Sequence, residues 1–326
     1  MNATLSRWTR RAALLSILTA PATLALAQAP ALPAPAAAPA PAPTPVPGIR
    51  NKLSAGDLPS AESIAEVWRT QHGQDGPWLV GCSWLARGAL MLGERDKAGT
   101  YADSALALCA QRRAAGADLA HDVELETALG AAMEVHAQLL AGQRDARTAA
   151  EYIRRELKTL PGPVALRSRL WKRINLLTLV GQPAPELVAE GGAGPPVPAL
   201  VAMRGKPVVL FLFNYGCGDC RSMEPTLARV RDRHAGDSLQ VVALTRYFDD
   251  VTERTLEKAA LDSTWSATYA TMGTTPVVVS TASMERYGGS STPTFVFIDR
   301  TGIVRGYTVT RLTEAEFEKA LAAILR

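Results

Sequence analysis

The chain has 326 residues, 47% of them hydrophobic and 20% charged, with a formal net charge of +4. That length is enough for two domains. Arg7, Arg10 and Arg11 fall in the first eleven residues, so the rest of the chain carries about +1 and gives no general electrostatic argument for nucleic acid or an acidic substrate.

Residues 1–27 have the pattern of a secretory signal. The three arginines form a basic start, Ala12 to Leu26 is an apolar run broken by Pro21, and Ala25-Leu26-Ala27 is a small-residue cleavage site. The apolar run is shorter than the roughly 20 residues a membrane span needs. No cysteine precedes Cys82, so the expected route is ordinary secretion without lipidation, to the periplasm or another exported location. Residues 28–49 are mostly Ala and Pro and predict an extended tether without a core.

Residues 50–178 predict a helical domain. Ser60 is a candidate cap for a helix bearing Ile64, Val67 and Trp68, and Pro77 suits the first turn of the next. Gly93-Glu94-Arg95-Asp96 and Gly142-Gln143-Arg144-Asp145 each place a glycine stop before an aspartate cap, the punctuation of helical hairpins. The two turns lie 49 residues apart, longer than a tetratricopeptide unit, so the expectation is an irregular tetratricopeptide-like array. Cys82 lies 13 positions before Arg95 and Cys109 lies 14 after it. Facing residues of a hairpin are equidistant from its turn, so a Cys82–Cys109 disulfide is expected, stabilising by roughly 3 kcal/mol. With four cysteines in all, an exported chain then has two possible pairs.

The second pair is Cys217-Gly218-Asp219-Cys220. It follows a short apolar strand, Lys206 to Phe213, and opens a helix with Met223, Leu227 and Val230 on one face. Unpaired N–H groups and the helix dipole favour a thiolate there, and thiolates carry out thiol–disulfide exchange. Downstream, strands are predicted at Leu239–Leu244, Pro276–Ser280, Thr294–Ile298 and Ile303–Thr308. Helices are predicted near Thr252–Leu261 and at Thr313–Leu325.

Residues 179–326 resemble the thioredoxin fold, and within it the TlpA/ResA-like periplasmic thiol–disulfide oxidoreductases. The resemblance rests on Gly181-Gln182-Pro183-Ala184-Pro185, Arg204-Gly205-Lys206-Pro207, the Cys217–Cys220 pair with Pro225 after it, and Ser291-Thr292-Pro293-Thr294-Phe295 followed by Ile298-Asp299 and Gly302. It implies an α/β thioredoxin-like domain behind the all-α one. It also implies Cys217 as nucleophile, Cys220 as resolving thiol, and Pro293 as a cis-proline whose neighbour Thr292 pairs with the substrate backbone. The chain departs from the family in three places. Gly216 stands where an aromatic is usual, Asp219 where proline is frequent, and Met223 where an acid is frequent, with Glu224 one place later.

Asp219 and Glu224 are candidate proton relays, although a charge at Asp219 opposes a second one on Cys217. The expected activity is reduction of protein disulfides, with electrons from a membrane thiol transporter. A client protein carries the disulfide or thiol, and the helical domain is a candidate docking region. No dissociable cofactor, metal or nucleic acid is expected. The two cysteine pairs lie in different domains, and His72, His121, His136 and His234 do not cluster with them in sequence. The alternatives are a binding or scaffold module with a structural Cys217–Cys220 disulfide, and a thiol peroxidase.

Overall fold

The computed structural model describes residues 43–160, 162–197, 199–248, 254–273 and 275–326. The signal segment and residues 28–42 of the tether lie outside these. Among the described residues no helix is long and apolar enough to cross a membrane.

Seven helices come first: α1 Val46–Ser54, α2 Leu58–His72, α3 Gly76–Met91, α4 Arg95–Ala114, α5 Val123–Gln143, α6 Ala146–Thr159 and α7 Val164–Thr178. Helix α1 starts inside the segment expected to be tether. Pro45 and Pro47 fall at its cap and first turn, where proline costs no hydrogen bond, and Ile49 is fully buried in the core. Two caps also differ from expectation. Asp57, not Ser60, caps α2 by accepting from the Ser60 N–H at 3.1 Å. Glu94 precedes α4 with no side-chain cap, while Asp96 lies within its first turn. Asp145 caps α6 as expected, accepting from the Thr148 N–H at 2.8 Å. Successive helices pack together, and α1, α3, α5 and α7 also pack in a row.

Cys82 and Cys109 are both buried free thiols in this structure, as Cys217 and Cys220 are also free. Cys82 lies nine residues before Met91, the last of α3, whereas Cys109 lies fourteen after Arg95, the first of α4. The hairpin is therefore centred near Gly93 rather than Arg95, and the two cysteines are not equidistant from its turn. Cys82 Sγ donates to the Tyr101 carbonyl at 3.5 Å, and burial pushes both thiols up to about 12.

The second region is built on a six-stranded sheet. Its strands are β1 Gly191–Ala193, β2 Val208–Leu212, β3 Gln240–Thr245, β4 Val277–Val279, β5 Thr294–Ile298 and β6 Val304–Thr308. Their order is β1-β4-β3-β2-β5-β6; β4, β3 and β2 run parallel, and β1, β5 and β6 pair antiparallel. Helices α8 Gly218–Arg233, α9 Arg254–Thr268, α10 Thr281–Arg286 and α11 Glu314–Leu321 complete it. Strand alternation makes two cores. Val209, Phe211 and Phe213 face Leu227, Tyr269 and Phe317 on one side, and Leu210 and Leu212 face Met284 and Tyr287 on the other. A capping box between Thr313 and Glu316 opens α11.

Asp299 closes the β5–β6 hairpin. Burial alone would raise its pKa. Hydrogen bonds from the Thr301 hydroxyl at 2.6 Å, the Ile303 N–H at 3.0 Å and Arg305 Nε at 2.6 Å instead hold it at about 2. A depressed carboxylate stabilises above its unfolded pKa and loses that stabilisation as pH falls through its folded one. Stability should therefore drop between about pH 4 and about pH 2. Asp299→Asn should flatten that drop in urea melts taken at a series of pH values. An unchanged pH profile in the variant would reject this assignment.

Helix α7 joins the two regions by packing on α10. Arg167 Nε donates to Glu285 at 2.9 Å, Asn175 Nδ2 donates to the Arg286 carbonyl at 3.0 Å, and the Arg286 guanidinium lies 3.8 Å over the Trp171 ring. Lys172 Nζ donates to Ser291 Oγ at 3.0 Å.

Candidate active site

The site forms where β2 ends and α8 begins. Asn214 turns the chain: its side chain accepts from the Gly216 N–H at 2.8 Å, and its carbonyl accepts from the Cys217 N–H at 2.9 Å. This turn brings the first cysteine to the cap of α8. Cys217 Sγ accepts from the Cys220 N–H at 3.2 Å, as a capping side chain does, and lies 3.6 Å from the Thr292 carbonyl. The Thr292–Pro293 peptide is cis. The structure thus brings together Cys217, Cys220, Thr292 and Pro293, four residues named from the sequence.

The two thiols differ. Cys217 is partly exposed, whereas Cys220 is fully buried against Phe211, Met223 and Leu227. Burial, followed by its hydrogen bond with Cys217, pushes the Cys220 thiol up to about 12. The outer sulfur is the one a substrate can reach, and the inner one is held protonated until a partner approaches.

The two carboxylates expected as relays point elsewhere. Asp219 is exposed, with Oδ1 3.6 Å from Arg311, a rim pair that solvent screens. Glu224 is buried and caps the turn at Ala270–Met272. It accepts from the Thr271 N–H at 3.1 Å and from the Thr271 hydroxyl. These bonds tie the Glu224 side chain on α8 to the turn that follows α9.

Sequence reasoning missed several neighbours. Tyr215, one place before Gly216, supplies the nearby aromatic ring; its hydroxyl donates to Glu257 and its ring meets Phe248 edge-on at 5.6 Å. Trp265 and Tyr269 stack at 5.0 Å in the core that also holds Cys220. The Trp265 Nε1 and Tyr269 hydroxyl are buried without a hydrogen-bond partner among the described residues. Burial, and then the adjacent Cys220 and Cys217, push the Tyr269 phenol up. Of these rings only Trp265 lies on α9, where helical spacing cannot distinguish core from site; Tyr269 follows the helix end and had no such signal.

A family model described as a thioredoxin-like domain matches residues 199–325. No curated protein matches the chain. Among solved structures, the chain is similar to a thiol:disulfide interchange protein of the thioredoxin family from Chlorobium tepidum TLS. That match has 19% identity and a TM-score of 0.33, and covers 45% of this chain and 97% of that one. A thiol-disulfide isomerase from Corynebacterium glutamicum matches at 23% identity and a TM-score of 0.36, over 44% of this chain and 96% of that one. A secreted Mycobacterium tuberculosis disulfide oxidoreductase matches at 20% identity and a TM-score of 0.31, over 38% and 85%. The C-terminal region of the chain is a thioredoxin-like domain, preceded by an all-α region of seven helices.

Proposed function

We propose that the protein is an exported, TlpA/ResA-like thiol–disulfide oxidoreductase that reduces disulfides in client proteins. The observation that carries this reading is the placement of Cys217. Its sulfur is accessible at a helix N-terminus, beside the cis-proline loop, with a buried second thiol one turn away. The Cys217 thiolate attacks a client disulfide, forming a mixed disulfide and releasing one client thiolate, which takes up a proton. Cys220 then loses its proton and attacks Cys217 Sγ. The second client thiol leaves, and a Cys217–Cys220 disulfide remains. Two electrons pass to the client, and an external dithiol, such as a membrane thiol transporter, restores the pair.

The Thr292 carbonyl lies 3.6 Å from Cys217 Sγ, which supports pairing of this backbone with the client strand. Export rests on the signal pattern of residues 1–27. Cys220→Ser should accumulate mixed disulfides through Cys217, resolved by non-reducing electrophoresis and released by dithiothreitol. If no adduct dependent on Cys217 forms, the exchange reading fails.

A further inference from the structure

The row of helices α1, α3, α5 and α7 carries a line of cations that leads to the active site. Arg50 on α1 and Arg87 on α3 both lie over the Trp84 ring, at 4.7 and 4.5 Å. Arg169, Lys172 and Arg173 follow on α7. At its end Lys172 reaches Ser291, the residue before Thr292, whose carbonyl faces Cys217 Sγ.

The line is short of counter-charge, because one carboxylate, Glu134, serves Arg87, Lys172 and Arg173 as well as Arg169. Glu134, on α5, is buried and taken up by Arg169 at 2.8 Å; Glu126 also lies near Arg169. Among the described residues, Arg50, Arg87, Lys172 and Arg173 have no salt bridge, and Arg173 Nε is buried without a hydrogen-bond partner. Burial lowers the pKa of Arg87, Lys172 and Arg173; Glu134 opposes this at all three, and the neighbouring cations add to it. Half-buried cations held together against mutual repulsion are costly unless an anion joins them. A small free anion would satisfy one or two of them. Only an extended anionic chain spans the three cation-bearing helices and ends at the cis-proline loop.

We propose that this line docks an acidic segment of the client protein, aligning the client's disulfide with Cys217; the part concerning alignment rests on the exchange reaction proposed above. The test uses the full chain and a fluorescein-labelled, Glu-rich peptide without cysteine, followed by anisotropy at low and high salt. The wild type should bind it with strong salt dependence. Arg87→Gln with Arg173→Gln should weaken binding at least tenfold, and the exposed Arg50→Gln, which carries little risk to folding, about threefold.

A second readout compares reduction of Glu-flanked and Ser-flanked disulfide peptides with dithiothreitol as electron source. The wild type should favour the acidic peptide at least fivefold, and the double variant should bring that ratio toward one. Equal affinities in wild type and variants would overturn the proposal. So would binding of phosphatidylglycerol vesicles through these arginines with no binding of the peptide. Failure to reduce either disulfide would instead count against the exchange reaction and leave the anisotropy result to decide docking.

Discussion

Cys217→Ser is expected to reduce disulfide exchange to the uncatalysed background, although Cys220 remains. The reason is the inequality of the two thiols. Cys220 is fully buried, and its pKa is raised to about 12, chiefly by burial. An ordinary cysteine has a pKa near 8.5, so burial leaves Cys220 with a far smaller thiolate fraction at pH 7. In Cys217→Ser, alkylation of Cys220 by iodoacetamide should be slow at pH 7 and still rising at pH 10. Rapid alkylation at neutral pH, or residual turnover of an insulin-type disulfide substrate, would remove the assigned order of attack.

Gly288→Ala is expected to be among the most destabilising single changes in the chain. Gly288 has φ +72, and an added Cβ would lie 2.4 Å from the Lys172 Cα and 2.5 Å from its N. Backbone of α7 cannot turn aside as a side chain would, so strain and overlap add. A loss of roughly 3 kcal/mol or more is expected, with a fall in Tm of roughly 6 °C or more. Gly181→Ala separates the two effects. Gly181 has φ +86 with nothing within 4 Å, so only the conformational cost of about 1 to 2 kcal/mol applies. Equal losses in the two variants would mean that the close approach of α10 to α7 contributes little. Because Lys172 also holds Ser291, Gly288→Ala should slow exchange as well.

The central parts of the fold were readable because local pattern and tertiary role agree there. β2 is a β-branched and aromatic run buried on both faces, α11 begins with a capping box, and β5 matches its expected bounds residue for residue. β1 was not readable: Gly191-Gly192-Ala193 has no strand propensity and forms an edge strand only by pairing with β4. α10 is six residues long, too short for a periodic signal. At the site, spacing alone singled out Cys217 and Cys220, and the resemblance named Thr292 and Pro293; the structure brings the four together. The directions of Glu224 and Asp219 depend on Thr271 and Arg311, which are distant in sequence. The level of Cys109 depended on where the hairpin turns, which a shift of about two residues decides. The cationic line was hidden for the same reason: its members are spread over three helices, and the whole-chain charge averages them away.

The reduction potential of the Cys217–Cys220 couple tests the account most directly, by thiol labelling in defined dithiothreitol buffers. Strong oxidants of this class are those whose reduced form is stabilised. Here burial, followed by the hydrogen bond with Cys217, holds the Cys220 thiol protonated. A reducing couple at about −270 mV is expected. A value of about −120 mV, or a bond that dithiothreitol does not open, would contradict the reductase reading.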